Sequence, residues 1–226
     1  MKKLFIIGNW KSFKTTTEAT EWFQEITNNK LQMTDDKEVV ICAPFTALPL
    51  AKSLINQHNL PIKLGAQDIS PFDEGRYTGA VNGKQLAEFV QYVIIGHSER
   101  RKYFFETEGM VNQKVQRAIE SGITPIVCVS EVSQIKSLLA DHHGKEFIVA
   151  YEPLFAIGSG QPDSPENAEK TSAEIQKEME NITIIYGGSV TSENVHSFTS
   201  MPTISGVLPG GASLVASEFA AIVTNA

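Results

Sequence analysis

Glu152 directly follows the apolar run Phe147-Ile148-Val149-Ala150-Tyr151. A carboxylate at the end of a buried strand is partly desolvated, which disfavours its charged form and suits it to act as a base. His97 ends a second apolar run, Tyr92-Val93-Ile94-Ile95-Gly96, as a potential hydrogen-bond donor. Lys11 follows a third, Leu4-Phe5-Ile6-Ile7, after Gly8-Asn9-Trp10, and supplies a cation. Two glycine pairs, Gly187-Gly188-Ser189 and Gly210-Gly211-Ala212-Ser213, follow later runs. Successive glycines let the backbone approach a ligand closely, and the stretch from Gly211 to Leu214 reads as the start of a helix whose free N–H groups attract an anion. Each feature alone has a plain alternative: an acid paired with a lysine, a structural histidine, a solvated lysine, tight turns. A base, a donor, a cation and an anion cradle, all at strand ends on one rim, lower the weight of these plain alternatives. Gly158-Ser159-Gly160, soon after Glu152, reads as a loop with glycine joints that could close over such a site.

These residues need a scaffold that brings strand ends to one rim. Eight short β-branched runs recur: Leu4–Ile7, Val39–Ala43, Ile62–Ala66, Tyr92–Ile95, Thr124–Val129, Phe147–Tyr151, Thr183–Tyr186 and Ile204–Leu208. Most are continuously apolar, the pattern of strands buried on both faces. Segments of helical period lie between them. Thr15 with Glu18 forms a capping box ahead of Ala19, Trp22, Phe23 and Ile26. Leu50, Leu54 and Ile55 follow Thr46; Val111, Val115, Ala118 and Ile119 are closed by Gly122; Ile135, Leu138 and Leu139 mark a short segment. Ser164-Pro165-Glu166 opens another helix. Strand–helix alternation implies parallel βαβ units, and eight of them favour a closed (β/α)8 barrel, here one α/β domain over residues 1–226. In that fold chemistry sits just beyond the C-terminal strand ends, and the loops after strands seven and eight form the usual phosphate site.

The chain has 226 residues with a formal charge of −7, and no basic tract stands out, which argues against a nucleic-acid or membrane-surface partner. The only cysteines, Cys42 and Cys128, are far apart, the expectation for reduced thiols in a cytoplasmic protein. The apolar run after Lys2-Lys3 stops at Gly8, too short for a signal sequence, and no apolar stretch is long enough to span a membrane. No metal-ligand spacing and no GxGxxG after a strand occur, so neither metal nor cofactor is expected. His142 and His143 are adjacent and read as a polar helix end; His58 and His196 read as surface residues.

Over nearly its whole length the sequence resembles the triosephosphate isomerase family. The matching segments are Gly8–Lys11, Ile95–Arg101, Tyr151–Gly160, Tyr186–Val190 and Gly210–Leu214, in the family's order. The resemblance implies a TIM barrel that interconverts dihydroxyacetone phosphate and glyceraldehyde 3-phosphate through an enediol(ate), without cofactor. It implies that Glu152 is the base, that His97 is a neutral imidazole acting on the substrate oxygens, and that Lys11, beside Asn9, holds substrate. Gly158, Ser189, Gly210 and Gly211 match the phosphate-binding positions. Ile157 and Leu208 match apolar residues that close over the base, Ser98 and Glu99 stand beside His97 as supporting residues, and 153–160 match a lid. Residues 68–79, with Arg76 and Tyr77, match the loop through which the family forms homodimers. Departures are Phe155 for a usual tryptophan, Ala80 for a glutamate that pairs with an arginine matching Arg100, Ser205 for aspartate and Pro209 for valine. The segments 131–151 and 164–181 are shorter than the family pattern, implying a compact barrel with shortened outer helices. Two alternatives stand beside this reading: another phosphate-binding barrel isomerase, and a non-catalytic phosphosugar-binding barrel descended from the enzyme.

Overall fold

Residues of β-branched and aliphatic type form eight strands because each is buried on two sides. The computed structural model describes residues 2–29, 31, 34–142, 144–179 and 182–226. In order they form β1 (Leu4–Asn9), α1 (Thr16–Asn29), β2 (Lys37–Ala43), α2 (Leu48–His58), β3 (Ile62–Ala66), α3 (Gly83–Ala87) and β4 (Tyr92–Ile95). Then come α4 (Ser98–Tyr103), α5 (Glu108–Glu120), β5 (Thr124–Val129), α6 (Ser133–His142) and β6 (Ile148–Tyr151). The chain ends with α7 (Pro165–Glu178), β7 (Thr183–Tyr186), α8 (Val195–Thr199), β8 (Ile204–Val207) and α9 (Ala216–Asn225). The strands pair in chain order, all parallel, and β8 closes on β1 through Phe5 opposite Gly206 and Ile6 opposite Val207. The architecture is thus the closed TIM barrel that eight buried runs lead one to expect.

Alternation within each strand divides the core. Ile7, Val40, Cys42, Ile94, Ile126, Cys128, Ile148, Ala150 and Ile185 fill the barrel interior. Their neighbours Ile6, Val39, Ile41, Val93, Val127, Val149 and Ile184 pack outward under the helices. Each fully buried aliphatic side chain contributes about 1.5–3 kcal/mol relative to exposure. The helices attach by the stripes read from sequence. The Thr15 N–H donates to Glu18 Oε2 at 2.7 Å and the Glu18 N–H to Thr15 Oγ1 at 3.3 Å, closing the capping box. Trp22 and Phe23 of α1 then pack edge-on against Trp10, with ring centroids 5.1 and 5.8 Å away. Ser164 caps α7 by accepting the Asn167 N–H at 3.1 Å.

Several local details differ from the sequence reading. β1 runs on to Asn9 because β2 continues to pair with it, Asn9 opposite Cys42, whereas β8 stops at Val207 beside a register shift against β7. The segment from Gly211 is a four-residue 3₁₀ turn, Gly211–Leu214, and extended Val215 separates it from α9. The short helices α3, α4 and α8 carry too few residues to show a period. His142 ends α6 but is buried rather than exposed, its Nε2 3.1 Å from the Asn112 carbonyl oxygen across the α5–α6 contact. His143 lies outside the described residues. The opposite end of the barrel is closed by Glu38, whose carboxylate accepts from Lys3, Lys63 and the Tyr92 hydroxyl. Among the described residues no helix is long and apolar enough to cross a membrane.

Candidate active site

Glu152 and His97 stand at the C-terminal ends of β6 and β4, and both are buried, at 1% and 6% exposure. Their facing atoms, Glu152 Oε1 and His97 Nε2, lie 3.3 Å apart. The start of α4 orients both. The Ser98 N–H donates to Glu152 Oε2 at 3.3 Å, and the Glu99 N–H donates to His97 Nδ1 at 3.2 Å. A ring nitrogen that accepts a backbone N–H carries no proton of its own, so the neutral His97 holds its proton on Nε2, toward Glu152. Local sequence makes this possible: His97 is the N-cap of α4 and takes one of the helix's unpaired amides with its own ring.

Lys11 approaches from β1. Its backbone is left-handed, with φ 51°, an uncommon conformation for a residue with a side chain. Asn9 Oδ1 secures that turn by accepting the Lys11 N–H at 2.9 Å. The ammonium reaches across the rim to Glu99 Oε1 at 2.6 Å. Asn9 itself is tied to the eighth strand end, its N–H donating to the Pro209 carbonyl at 2.9 Å. Pro209 therefore contributes an acceptor where its missing donor is not needed.

These groups share one cavity of about 270 Å³. Asn9, Lys11, His97 and Glu152 line one part of it, Gly158, Ser189, Gly210 and Gly211 another, and Ile157 and Leu208 its apolar wall. Ser98 and Glu99 stand behind His97 rather than in this cavity. Among the described residues, the N–H groups of Ser189, Gly210 and Gly211 have no protein acceptor, which leaves them available to an anion. The segment 153–160 contains a 3₁₀ turn, Leu154–Ala156, followed by Gly158 and Gly160 at φ 66° and 72°. Its middle is tied to the loop after β7, and the chain just beyond it to the end of β7. Ser189 Oγ donates to the Ala156 carbonyl at 2.7 Å, and the Asp163 N–H donates to the Tyr186 hydroxyl at 2.8 Å. Burial pushes that hydroxyl up to about 12. Leu154 and Phe155 project outward, 63% and 64% exposed.

The chain matches the triosephosphate isomerase family model over residues 4–226. The chain belongs to the triosephosphate isomerase family. It is 41% identical over 241 residues to the triosephosphate isomerase of a Picosynechococcus species, with 99% of each chain covered. It is 39% identical to that of Trichodesmium erythraeum and 38% identical to that of Mesomycoplasma hyorhinis, again with 99% of each chain covered.

Two features of this family member went unread in the sequence. Cys128 is buried inside the barrel near Glu152, and burial, reinforced by the Glu152 charge, raises its thiol well above the ordinary range. The inward parity of Ile126 and Cys128 on β5, which pairs with β6 beside Glu152, is the signal that could have found it. The second is the partner of Arg100. With Ala80 just past the 68–79 loop, Arg100 is met within its own chain, by Asp68 Oδ2 at 2.8 Å and Glu106 Oε1 at 3.5 Å.

Proposed function

We propose that this chain interconverts dihydroxyacetone phosphate and D-glyceraldehyde 3-phosphate by moving a proton between adjacent carbons. In this reading Glu152 removes the proton from one substrate carbon and returns it to the neighbouring carbon of the enediol(ate). His97 donates its Nε2 hydrogen toward the substrate carbonyl oxygen and relays protons between the two oxygens. The Lys11 ammonium offsets the negative charge that develops there, and Asn9 holds Lys11 in place. The amides at Gly158, Ser189, Gly210 and Gly211 hold the phosphate. Ile157 and Leu208 keep water from the carboxylate, which strengthens every polar interaction in the cavity.

The observation that carries this reading is the approach of a buried carboxylate to a ring nitrogen oriented by backbone, in a cavity whose other end offers free amides. A phosphorylated three-carbon sugar suits a volume below the ~300–1,000 Å³ of drug-sized sites. The presence of both proton carriers favours catalysis over the binding-only alternative, and the carboxylate, imidazole and lysine set argues against a barrel isomerase that relies on several acids. All proton carriers are side chains of the chain itself, so the proposal assigns no cofactor and no metal.

We further infer a single domain over residues 1–226 and a homodimer formed through residues 68–79. On that loop Phe72 and Tyr77 stack, 4.3 Å between centroids, and both are half-exposed. Beside the catalytic rim lies a groove of about 790 Å³ whose lining includes Phe13, Phe45, Gln67 and Phe104, a surface suited to receive an aromatic loop. Two free buried thiols, Cys42 and Cys128, fit a reducing, cytoplasmic setting. The net charge of −7 supports a small-molecule partner rather than nucleic acid or membrane.

The test is a coupled assay of glyceraldehyde 3-phosphate turnover with the parent protein and Glu152→Asp. Shortening the side chain by one methylene withdraws the carboxylate by ~1 Å, which costs on the order of 100-fold in kcat. Parent-level turnover in well-folded Glu152→Asp would remove Glu152 from its assigned role.

A further inference from the structure

Behind the catalytic rim four charged side chains form a cluster drawn from four places in the chain. Asp68 follows β3, Arg100 lies on α4, Glu106 lies in the turn after α4, and Lys114 lies on α5. Asp68 Oδ1 is 2.6 Å from Lys114 Nζ, and Asp68 Oδ2 is 2.8 Å from Arg100 Nη2. Glu106 pairs with Lys114 and approaches Arg100 Nε at 3.5 Å. Two cations therefore meet two acids, and Lys114 and Glu106 are almost wholly buried. Burial raises the Asp68 carboxyl, against the pull of Lys114 and Arg100. A buried charge of this kind is held only while its partners stay in place.

The cluster matters because of what α4 does. This helix has six residues, far short of the roughly 12–15 at which an isolated helix becomes even marginally stable. Its placement must come from side chains that anchor it to the barrel. Arg101 anchors one side, donating to the Gly96 carbonyl and to Glu108, both at 2.6 Å. Arg100 anchors the other through Asp68 and Glu106. The Arg100 N–H also donates to the His97 carbonyl at 2.8 Å, next to the amide that fixes His97 Nδ1.

We propose that Asp68 is a positioning residue for proton transfer: by gripping Arg100 with one oxygen and Lys114 with the other, it sets α4 so that the Glu99 amide meets His97 Nδ1 and the Ser98 amide meets Glu152. This inference rests on the roles given above to His97 and Glu152. It demands both carboxylate oxygens. An amide offers one acceptor, and its NH₂ would face a cation.

The experiment uses full-length Asp68→Asn, with Asp35→Asn in the exposed turn before β2 as a control and His97→Gln as a check on the underlying reading. Steady-state kinetics and ¹⁵N NMR of the His97 ring are recorded on folded protein. Asp68→Asn is expected to lose about tenfold in kcat with KM within about twofold, as for a misplaced catalytic group rather than lost substrate binding. The His97 Nδ1 resonance should shift away from that of the parent, and Asp35→Asn should match the parent in both readouts. A folded Asp68→Asn that melts lower but keeps the parent's kcat, or one that loses kcat with an unchanged His97 spectrum, overturns the proposal. Should Asp68→Asn fail to fold, Arg100→Gln decides, because it removes the intermediary. It must show the same loss and the same shift, and a parent-like result overturns the proposal. If His97→Gln retains full turnover, the role of His97 fails instead, an outcome distinct from failure at Asp68.

Discussion

Gly188 lies in the loop that links the phosphate end of the cavity to the lid, and replacing it with alanine tests that link. A methyl there would stand 2.8 Å from Tyr186 Cε1 and nearer still to the Tyr186 hydroxyl. Tyr186 cannot step aside. It is fully buried, stacked on Phe198 at 4.1 Å with planes 8° apart, and its hydroxyl accepts the N–H of Asp163, just beyond the proposed lid. Overpacking of this kind costs about 1–3 kcal/mol. Displacing the hydroxyl leaves a buried N–H without its acceptor, a further ~1–3 kcal/mol. For a chain of this size each kcal/mol lowers Tm by roughly 2–4 °C, so a loss near the middle of the range means a fall on the order of 10 °C. Gly211 is the matched control, because a methyl there meets nothing within 4 Å. Gly211→Ala should stay within about 3 °C of the parent, the scale of a plain change in chain entropy. Thermal melts by circular dichroism, with kcat measured alongside, are the assay. Gly188→Ala should also turn over more slowly, since the chain just beyond the proposed lid loses an anchor. If Gly188→Ala melts with the parent, or no lower than Gly211→Ala, the reasoning is wrong.

At the other end of the barrel, burial alone would raise Glu38, but hydrogen bonds from Lys3, Lys63 and Tyr92 outweigh it and hold the carboxyl at about 2, against an ordinary 4.5. A folded value below the unfolded one gives stability that is fully present above about pH 4.5 and is lost as pH falls toward 2. The stability gap between the parent and Glu38→Gln should therefore narrow across that window, and a gap constant from pH 7 to pH 2 would refute the assignment. Light scattering at micromolar concentration should give the mass of two chains, and a monomer would overturn the proposed role of residues 68–79.

The barrel was legible because it repeats one simple signal. Runs such as Tyr92–Ile95 and Thr124–Val129 are apolar on both faces, and only a sheet covered on both sides explains eight of them. Glu152 and His97 could be singled out because each directly follows such a run, and Lys11 because it lies a few residues beyond one. What escaped was set by parity and by distant pairing. Cys128 reads as one more apolar residue until β5 is laid beside β6. His142 reads as a polar helix end until α6 is set against Asn112 of α5. Asp68, Arg100, Glu106 and Lys114 look like ordinary surface charges when read in line, and only the closed barrel brings them together. α4 has no hydrophobic period of its own, because side chains at its margins hold it.

The central claim is that the backbone at the start of α4 decides where protons sit in this site, through the Glu99 amide on His97 Nδ1. The most direct measurement is ¹⁵N NMR of His97 in the substrate-free parent protein at pH 7. The account predicts a neutral ring with an unprotonated, hydrogen-bonded Nδ1 and a proton on Nε2. An imidazolium, or a neutral ring with its proton on Nδ1, would contradict it.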